Sequence, residues 1–285
     1  MARTSRPRTP TVLTVLRTEQ VAAHLVRVVL GGEGFDDFTP REETDSYVKL
    51  ELPHGEDTVV RTYTVRRVDT VAREIWIDFV VHGDAGVAGP WARSVQPGTQ
   101  VALRGPGGGY RPDPGADFHL LAGDETAVPG IAATLETLPA DAVGAVFLEV
   151  SDDDDEVELT APEGVSITWL HRGVPSSDAG PGLIDGDAPL VSAVRAMPWP
   201  DGDVQVFVHG EAETVMKHVR PYLRRERGIP AARASISGYW RRGRTEEGFR
   251  TWKRDLAEAE AATPASDTVG ATSASATTAV TGARS

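Results

Sequence analysis

The chain contains no cysteine in 285 residues. Disulfide frameworks, cysteine nucleophiles and cysteine-ligated iron–sulfur clusters are therefore excluded from this polypeptide. Histidine is sparse too: the seven, at positions 24, 54, 82, 119, 171, 209 and 218, include no pair at the close spacing of a helical metal site, so no built-in metal is expected. No G-x-S-x-G elbow occurs, and a serine-hydrolase reading fails on that requirement. No apolar run approaches the length that spans a bilayer, and the opening MARTSRPRTP lacks the hydrophobic segment of a secretory signal. Positive charge is in deficit, giving a formal net charge of -13. Nucleic acid and anionic lipid both need a basic footprint, so neither is an expected partner. These absences describe a soluble cytoplasmic protein, expected to be a monomer, with no nucleic-acid or membrane partner.

What is present suffices for two domains, since 40% of the residues are hydrophobic. From Thr11 to Leu103 the pattern is one of short alternating strands between glycine, proline and charged turns. The candidates are Val12 to Arg17, His24 to Leu30, Ser46 to Leu52, Val59 to Val68, Glu74 to His82 and Gln100 to Arg104. In the fifth, Ile75, Ile77, Phe79 and Val81 alternate with Trp76, Asp78 and Val80. Six strands at this spacing predict a closed antiparallel barrel.

The rhythm changes after GPGGGYRPDPG, Gly105 to Gly115, which reads as a turn and linker because no Lys-Ser or Lys-Thr follows it. Beyond it, FHLLAG, VGAVFLEV, VSITWL and VQVFVHG read as strands. Helical spacing is expected over Thr126 to Leu138, Leu190 to Met197 and Ala212 to Arg227, with Pro221 kinking or breaking the last. Strands alternating with helices predict a doubly wound parallel sheet. The expected division is a flexible N-terminus at 1–10, a barrel at 11–112, an α/β domain at 113–256 and a disordered tail at 257–285, the tail being rich in Ala, Thr, Ser and Gly without apolar periodicity.

Within the barrel, VVRTYTVRR places Arg61 and Tyr63 two residues apart on a strand, hence on one face. An arginine fork grips phosphate oxygens, and a tyrosine ring lies against a flat aromatic system, a pairing that suits a flavin nucleotide. Alone, the run is also what a solvent-facing antiparallel strand would contain. A second signal follows in HGDAGVAGPWA, His82 to Ala92, where three glycines precede Pro90 at a plausible first helical position. Such a turn into a helix leaves backbone N–H groups pointing at an anion.

In an open parallel sheet, ligands gather at the carboxyl ends of the strands. AGDETAVPG, Ala122 to Gly130, departs there from G-x-G-x-x-G, because Asp124 and Glu125 occupy the turn where carboxylates repel a pyrophosphate or simply cap the helix. VHGEAE, Val208 to Glu213, repeats the theme of strand, glycine and helix start. SISGYWRRGR, Ser235 to Arg244, adjoins Tyr239 and Trp240 to three arginines, either to stack on a planar ring and attract an anion or as a segment packed on the sheet. SDDDDE, Ser151 to Glu156, follows the second parallel strand; there it either opposes a ribose 2′-phosphate or forms a solvated acidic loop.

RTYTVRR, HGDAGVAGPWA, GPGGGY, AGDETAVPGI, HGEAE and GYWRRG together, in this order and spacing, resemble the siderophore-interacting proteins, a branch of the ferredoxin reductase-like flavoenzymes. The resemblance runs from about Val12 to Gly248. It implies a six-stranded Greek-key barrel that binds FAD, a Rossmann-like domain for NAD(P)H as electron donor, and a ferric siderophore as acceptor. By this resemblance Arg61 holds the FAD phosphates, Tyr63 faces the isoalloxazine and Thr64 sits near its reactive edge. Tyr63 and Thr64 are the implied catalytic positions. Thr62, Val80, His82, Gly83, Gly86, Ala88 and Trp91 complete the implied FAD set. Asp124, Glu125, Thr126, Gly210, Glu211, Tyr239, Trp240 and Arg241 match the family's turns facing NAD(P)H or flavin, while Lys49 and Arg241 match basic residues that attract the ferric complex. Gly107 departs from the pattern, since some relatives carry an arginine there, which leaves a wider basic cluster in question. The implied activity is reduction of a ferric siderophore with release of ferrous iron; the alternatives are an NAD(P)H oxidoreductase with another acceptor and a non-catalytic siderophore carrier.

Overall fold

The computed structural model describes residues 9–83, 86–244, 248, 249, 251, 252, 254, 255 and 258. Residues 1–8 of the expected N-terminal extension, Asp84 and Ala85 of the glycine turn, and all but residue 258 of the expected tail at 257–285 lie outside the described residues.

Six antiparallel strands form the first half: β1 (Thr11–Ala22), β2 (Leu25–Gly31), β3 (Tyr47–His54), β4 (Asp57–Asp69), β5 (Glu74–Val80) and β6 (Gln100–Gly107). They close into a barrel in the order β1-β2-β5-β4-β3-β6, so the Greek-key barrel is present. Alternation explains its core: Ile75, Ile77 and Phe79 are fully buried together with Leu13, Val28, Leu30, Val48, Leu50 and Leu103. On the opposite face Arg27 donates to Asp78 through two nitrogens and lies 4.6 Å from the Trp76 ring, with Arg67 at 5.0 Å from the same ring. These pairs cover the outer wall of the barrel. A short helix, α1 (Ala88–Ser94), follows the glycine turn after β5.

The second half is a five-stranded sheet of β7 (Phe118–Asp124), β8 (Gly144–Val150), β9 (Val165–His171), β10 (Val204–Glu211) and β11 (Ala234–Trp240). Every pairing is parallel, in the order β11-β10-β7-β8-β9. Helix α2 (Val128–Leu135) packs Val128, Ile131 and Leu135 on one face against Leu121, Val146 and Phe207. On the other face α3 (Pro189–Ala196) and the helical segment that follows β10 bury Leu190, Val194, Val215, Val219 and Leu223 against Leu120, Val206 and Val208. The sheet is therefore doubly wound.

Two expectations need amendment. Pro221 does not break its helix; π-type turns at Thr214–Val219 and Tyr222–Glu226 flank it, a wider winding that accommodates a residue with no N–H to donate. The segment Ser235 to Arg244 contributes most of β11 (Ala234–Trp240), which its Ser and Gly content does not announce. Pairing along the edge of β10 decides it.

Barrel and sheet belong to one compact unit. The Gly105–Gly115 linker is firmly seated in it: Asp45 accepts from the backbone N–H of Gly109 and Tyr110 at 2.8 Å each, and Gln205 bonds Arg111 O and Asp113 N. The acidic run is not simply solvated. Asp155 is buried against the β1–β2 turn, where it accepts from His24 N at 2.8 Å and lies 2.9 Å from His24 Nδ1. No helix among the described residues is long and apolar enough to cross a membrane.

Candidate functional site

On β4, Arg61 stands opposite Leu50 and Tyr63 opposite Val48, both partners being fully buried. Cross-strand partners share a face, so Arg61 and Tyr63 lie on the same side, toward the barrel interior. Thr62 and Thr64 alternate to the other side, opposite Lys49 and Tyr47. The Tyr63 ring is half-buried, with its centroid 4.3 Å from that of Phe79, which lies 5.5 Å from that of Trp91 on α1. Phe79, read from the sequence as a strand residue and not as part of the site, links the two aromatic residues named for it.

After Val80 ends β5, His82 holds a buried Nδ1 with no hydrogen-bond partner. Gly83 and Gly86 take φ values of 57° and 81°, left-handed backbone that favours glycine, and open space lies beside both. Ala88 is buried at the start of α1, and Arg93 Nη2 reaches back to Gly83 O at 2.7 Å. A guanidinium, an aromatic row, an orphaned buried nitrogen and an open glycine turn thus share one rim of the barrel. This set fits a ligand carrying both phosphate and a flat ring, as FAD does.

Thr64 connects this rim to the sheet. Its side chain is buried, and the Tyr239 phenol of β11 lies within hydrogen-bonding reach of it, while burial raises the Tyr239 pKa well above the usual phenol range. His209 meets the Tyr239 ring edge-on at 4.5 Å, stacks on Phe207 at 4.0 Å and holds Ser235 Oγ at 2.9 Å from Nε2. Sequence inspection passed over His209, although it sits beside Gly210 in a segment singled out.

At the carboxyl edge the strand order reverses between β7 and β10, which end in Asp124 and Glu211. Asp124 ties them together. Its Oδ1 accepts from Thr126 N and Oγ1, and its Oδ2 accepts from Glu211 N at 2.7 Å and Trp240 Nε1 at 2.8 Å. Gly210 makes this closeness possible, because a Cβ there would stand 2.8 Å from Asp124 Oδ2. Burial, reinforced by neighbouring Glu125, pushes the Asp124 carboxyl up to about 6. Beside it Arg172 bridges Glu125 at 2.7 Å and Glu149 at 2.8 Å, and Glu149 accepts from Leu190 N at 3.0 Å. Glu211 accepts from Glu213 N, Thr214 N, Arg242 N and Arg241 Nη1, and Arg241 also pairs with Glu213.

The structure therefore brings Asp124, Glu125, Thr126, Gly210, Glu211, Trp240 and Arg241 together, largely bonded to one another. The enclosed space is about 10 Å³, room for about one water. Glu149 and Arg172 belong to the same cluster and were not foreseen, their partners being remote in sequence; Arg242, one of the three arginines after Trp240, lines the same cavity. Lys49 is apart from this edge, exposed on β3 opposite Thr62 and Arg104. At Gly107 the missing side chain has a physical counterpart: a Cβ would fall 2.5 Å from Tyr47 Cζ, so the tyrosine ring occupies the space an arginine stem would need. Among the described residues no group of three or more His, Asp or Glu is placed to hold a metal ion.

Comparison with known proteins accords with this geometry. The family model for the siderophore-interacting protein matches residues 116–243, and that for the siderophore-interacting FAD-binding domain matches residues 14–60 and 51–110. The chain belongs to the siderophore-interacting protein family. Its barrel is that family's FAD-binding domain. Ferric vibriobactin reductase ViuB of Vibrio cholerae is 38% identical, over 84% of this chain and 92% of that protein. The NADPH-dependent ferric-chelate reductase of Escherichia coli is 30% identical, over 80% of this chain and 91% of its own length. A siderophore utilization protein from T. fusca, of known crystal structure, superposes with a TM-score of 0.73 at 38% identity, covering 83% of this chain and 94% of the other.

Proposed function

We propose that this member of the family is an NAD(P)H-dependent flavoprotein that reduces ferric siderophores and releases ferrous iron in the cytoplasm. The reading is carried by the rim at which Arg61, Tyr63, the orphaned His82 Nδ1 and the open Gly83 and Gly86 turn converge. It is supported by the two reductases of like length, one named for a ferric siderophore and one for NADPH. We assign residues 11–112 to flavin binding and 113–256 to the nucleotide donor.

FAD, when bound, would supply redox chemistry able to join a two-electron nicotinamide donor to a one-electron ferric acceptor. The chain's residues supply position and charge. Arg61 offsets the charge of the FAD phosphates, and His82 Nδ1 and the glycine turn complete their cradle. Tyr63, buttressed by Phe79 and Trp91, gives the ring system a flat wall. Thr64, with Tyr239 beside it, offers a hydroxyl on the sheet side of the rim. Lys49, exposed, attracts an anionic ferric complex more strongly than Arg241, whose charge Glu211 and Glu213 offset. Siderophores hold iron through hard oxygen donors matched to the trivalent ion, so reduction weakens the complex and no protein ligand to iron is needed.

The test is an anaerobic assay of the FAD-loaded protein with NADH or NADPH, a ferric siderophore and a ferrous chelator. Ferrous iron should accumulate well above a flavin-only control. Flavin bleaching without ferrous iron would move the protein to another acceptor, and complex binding without bleaching would make it a carrier.

A further inference from the structure

One charged group lining the cavity at the carboxyl edge of the sheet has donors left over. Asp124 takes donors on both oxygens, Glu149 takes Arg172 and Leu190 N, and Glu211 takes four. Arg172 donates to Glu125, Glu149 and Val174 O. Arg242 differs: its Nε and Nη1 are both buried, and neither has a hydrogen-bond partner. Its guanidinium carbon lies 5.5 Å from the Trp240 ring centroid. The nearby carboxylates do not use these donors, since Glu149 is already paired with Arg172 and Glu211 with Arg241. Arg242 is half-buried, but its two buried N–H groups lie idle, and idle buried donors are costly until a ligand supplies acceptors.

The location indicates what that ligand is. In sheets of this order a dinucleotide lies at the point of reversal, with its phosphates on the turn after the first strand. Here that turn presents Asp124 and Glu125, whose charge opposes phosphate. Arg242, two residues beyond the end of β11, is a cation with unused donors that lines the same cavity. The cavity as it stands is far too small for a nucleotide. Ser176, Leu183 and Ile184 also line it and come from the β9–α3 connection, with Thr214 Oγ1 donating to Ile184 O at 2.9 Å. At Gly180 and Gly182 in that connection the position a Cβ would take is open.

We propose that Arg242 is the phosphate anchor for the nicotinamide nucleotide, engaged when the Ser176–Ile184 segment lifts from the carboxyl edge. The anchor takes the place of the glycine turn that Asp124 and Glu125 replace. This rests on the NAD(P)H reading above and adds where the donor's phosphates bind.

The experiment uses the oxidised, FAD-loaded full-length protein. ADP-ribose, which carries the pyrophosphate but cannot reduce flavin, is titrated by calorimetry, and flavin bleaching is followed against NADH and NADPH concentration. Arg242→Gln should weaken ADP-ribose binding about tenfold or more and raise half-saturating nucleotide by a similar factor, as expected for loss of charge-assisted hydrogen bonds. The melting temperature of the variant without nucleotide should be unchanged or higher, because the substitution removes idle buried donors. Unchanged ADP-ribose affinity, or a lowered melting temperature with unchanged affinity, overturns the anchor alone. A wild-type protein that neither binds ADP-ribose nor is bleached by either nucleotide overturns the NAD(P)H reading and the anchor with it.

Discussion

At the barrel rim His82 keeps a buried nitrogen unpartnered and Gly83 and Gly86 leave open space, whereas at the carboxyl edge of the sheet Asp124, Glu125, Glu149 and Glu211 are answered by Thr126, Trp240, Arg172 and Arg241. The first surface is arranged for a ligand that completes it. The carboxylates of the second are satisfied within the protein, with idle donors left on Arg242, so a ligand that reaches those donors has to displace protein groups. Polar groups awaiting a resident prosthetic group and polar groups that stabilise the fold thus occur in one chain, and hydrogen-bond satisfaction tells them apart.

Removing a member of the self-satisfied cluster should act on stability most strongly. Arg172→Ala leaves Glu125 and Glu149 without their cation and is expected to cost about 3–5 kcal/mol in urea unfolding. A cost below about 1 kcal/mol would show that the cluster is not structural, since that is the range of exposed pairs. The barrel rim should respond in the opposite sense. Arg61→Ala should weaken FAD binding by about 1.5–3 kcal/mol, roughly tenfold or more, while the apoprotein loses far less stability than Arg172→Ala does. A matching loss of apoprotein stability would erase the contrast.

Titration sharpens the same comparison. Burial holds the Asp124 carboxyl at about 6 in the folded protein, above the ordinary aspartate range, so the folded state keeps this proton longer than the unfolded chain does. Its contribution to stability is therefore complete at low pH and is lost as pH rises through about 6. Glu74 on the barrel is the converse: hydrogen bonding to Arg17 lowers its pKa, and its contribution is present above the ordinary glutamate range and lost as pH falls through the folded value. Carboxyl carbon NMR should give a midpoint near 6 for Asp124 and one below the usual range for Glu74. The smallest effect belongs to the contact between the two halves. His24 is partly exposed beside buried Asp155, and His24→Ala should cost about 1 kcal/mol or less at neutral pH.

What the sequence disclosed follows from the range of its signals. Ile75, Ile77 and Phe79 reveal β5 because alternation is local, and the Arg61 and Tyr63 pairing is legible because two residues on one strand share a face. β11 was hidden, since Ala234, Ser235, Ser237 and Gly238 acquire strand structure by pairing with β10 rather than by propensity. The cluster at the carboxyl edge was hidden for a different reason. Asp124 and Trp240 are 116 residues apart, and Arg172 and Glu125 are 47 apart, so nothing local distinguishes a paired carboxylate from a solvated one. The four aspartates after β8 show the same limit: Asp155 is buried on His24, 131 residues away, while its neighbours are exposed.

The central claim is that flavin held at the barrel rim passes electrons to a ferric siderophore. Its most direct test is a single turnover without any nucleotide: FAD-loaded protein is photoreduced, mixed anaerobically with excess ferric siderophore, and followed by flavin absorbance with a ferrous trap. Two electrons per flavin and one per iron predict full reoxidation with two ferrous ions per flavin. A flavin that stays reduced, with no ferrous iron trapped, would contradict the account.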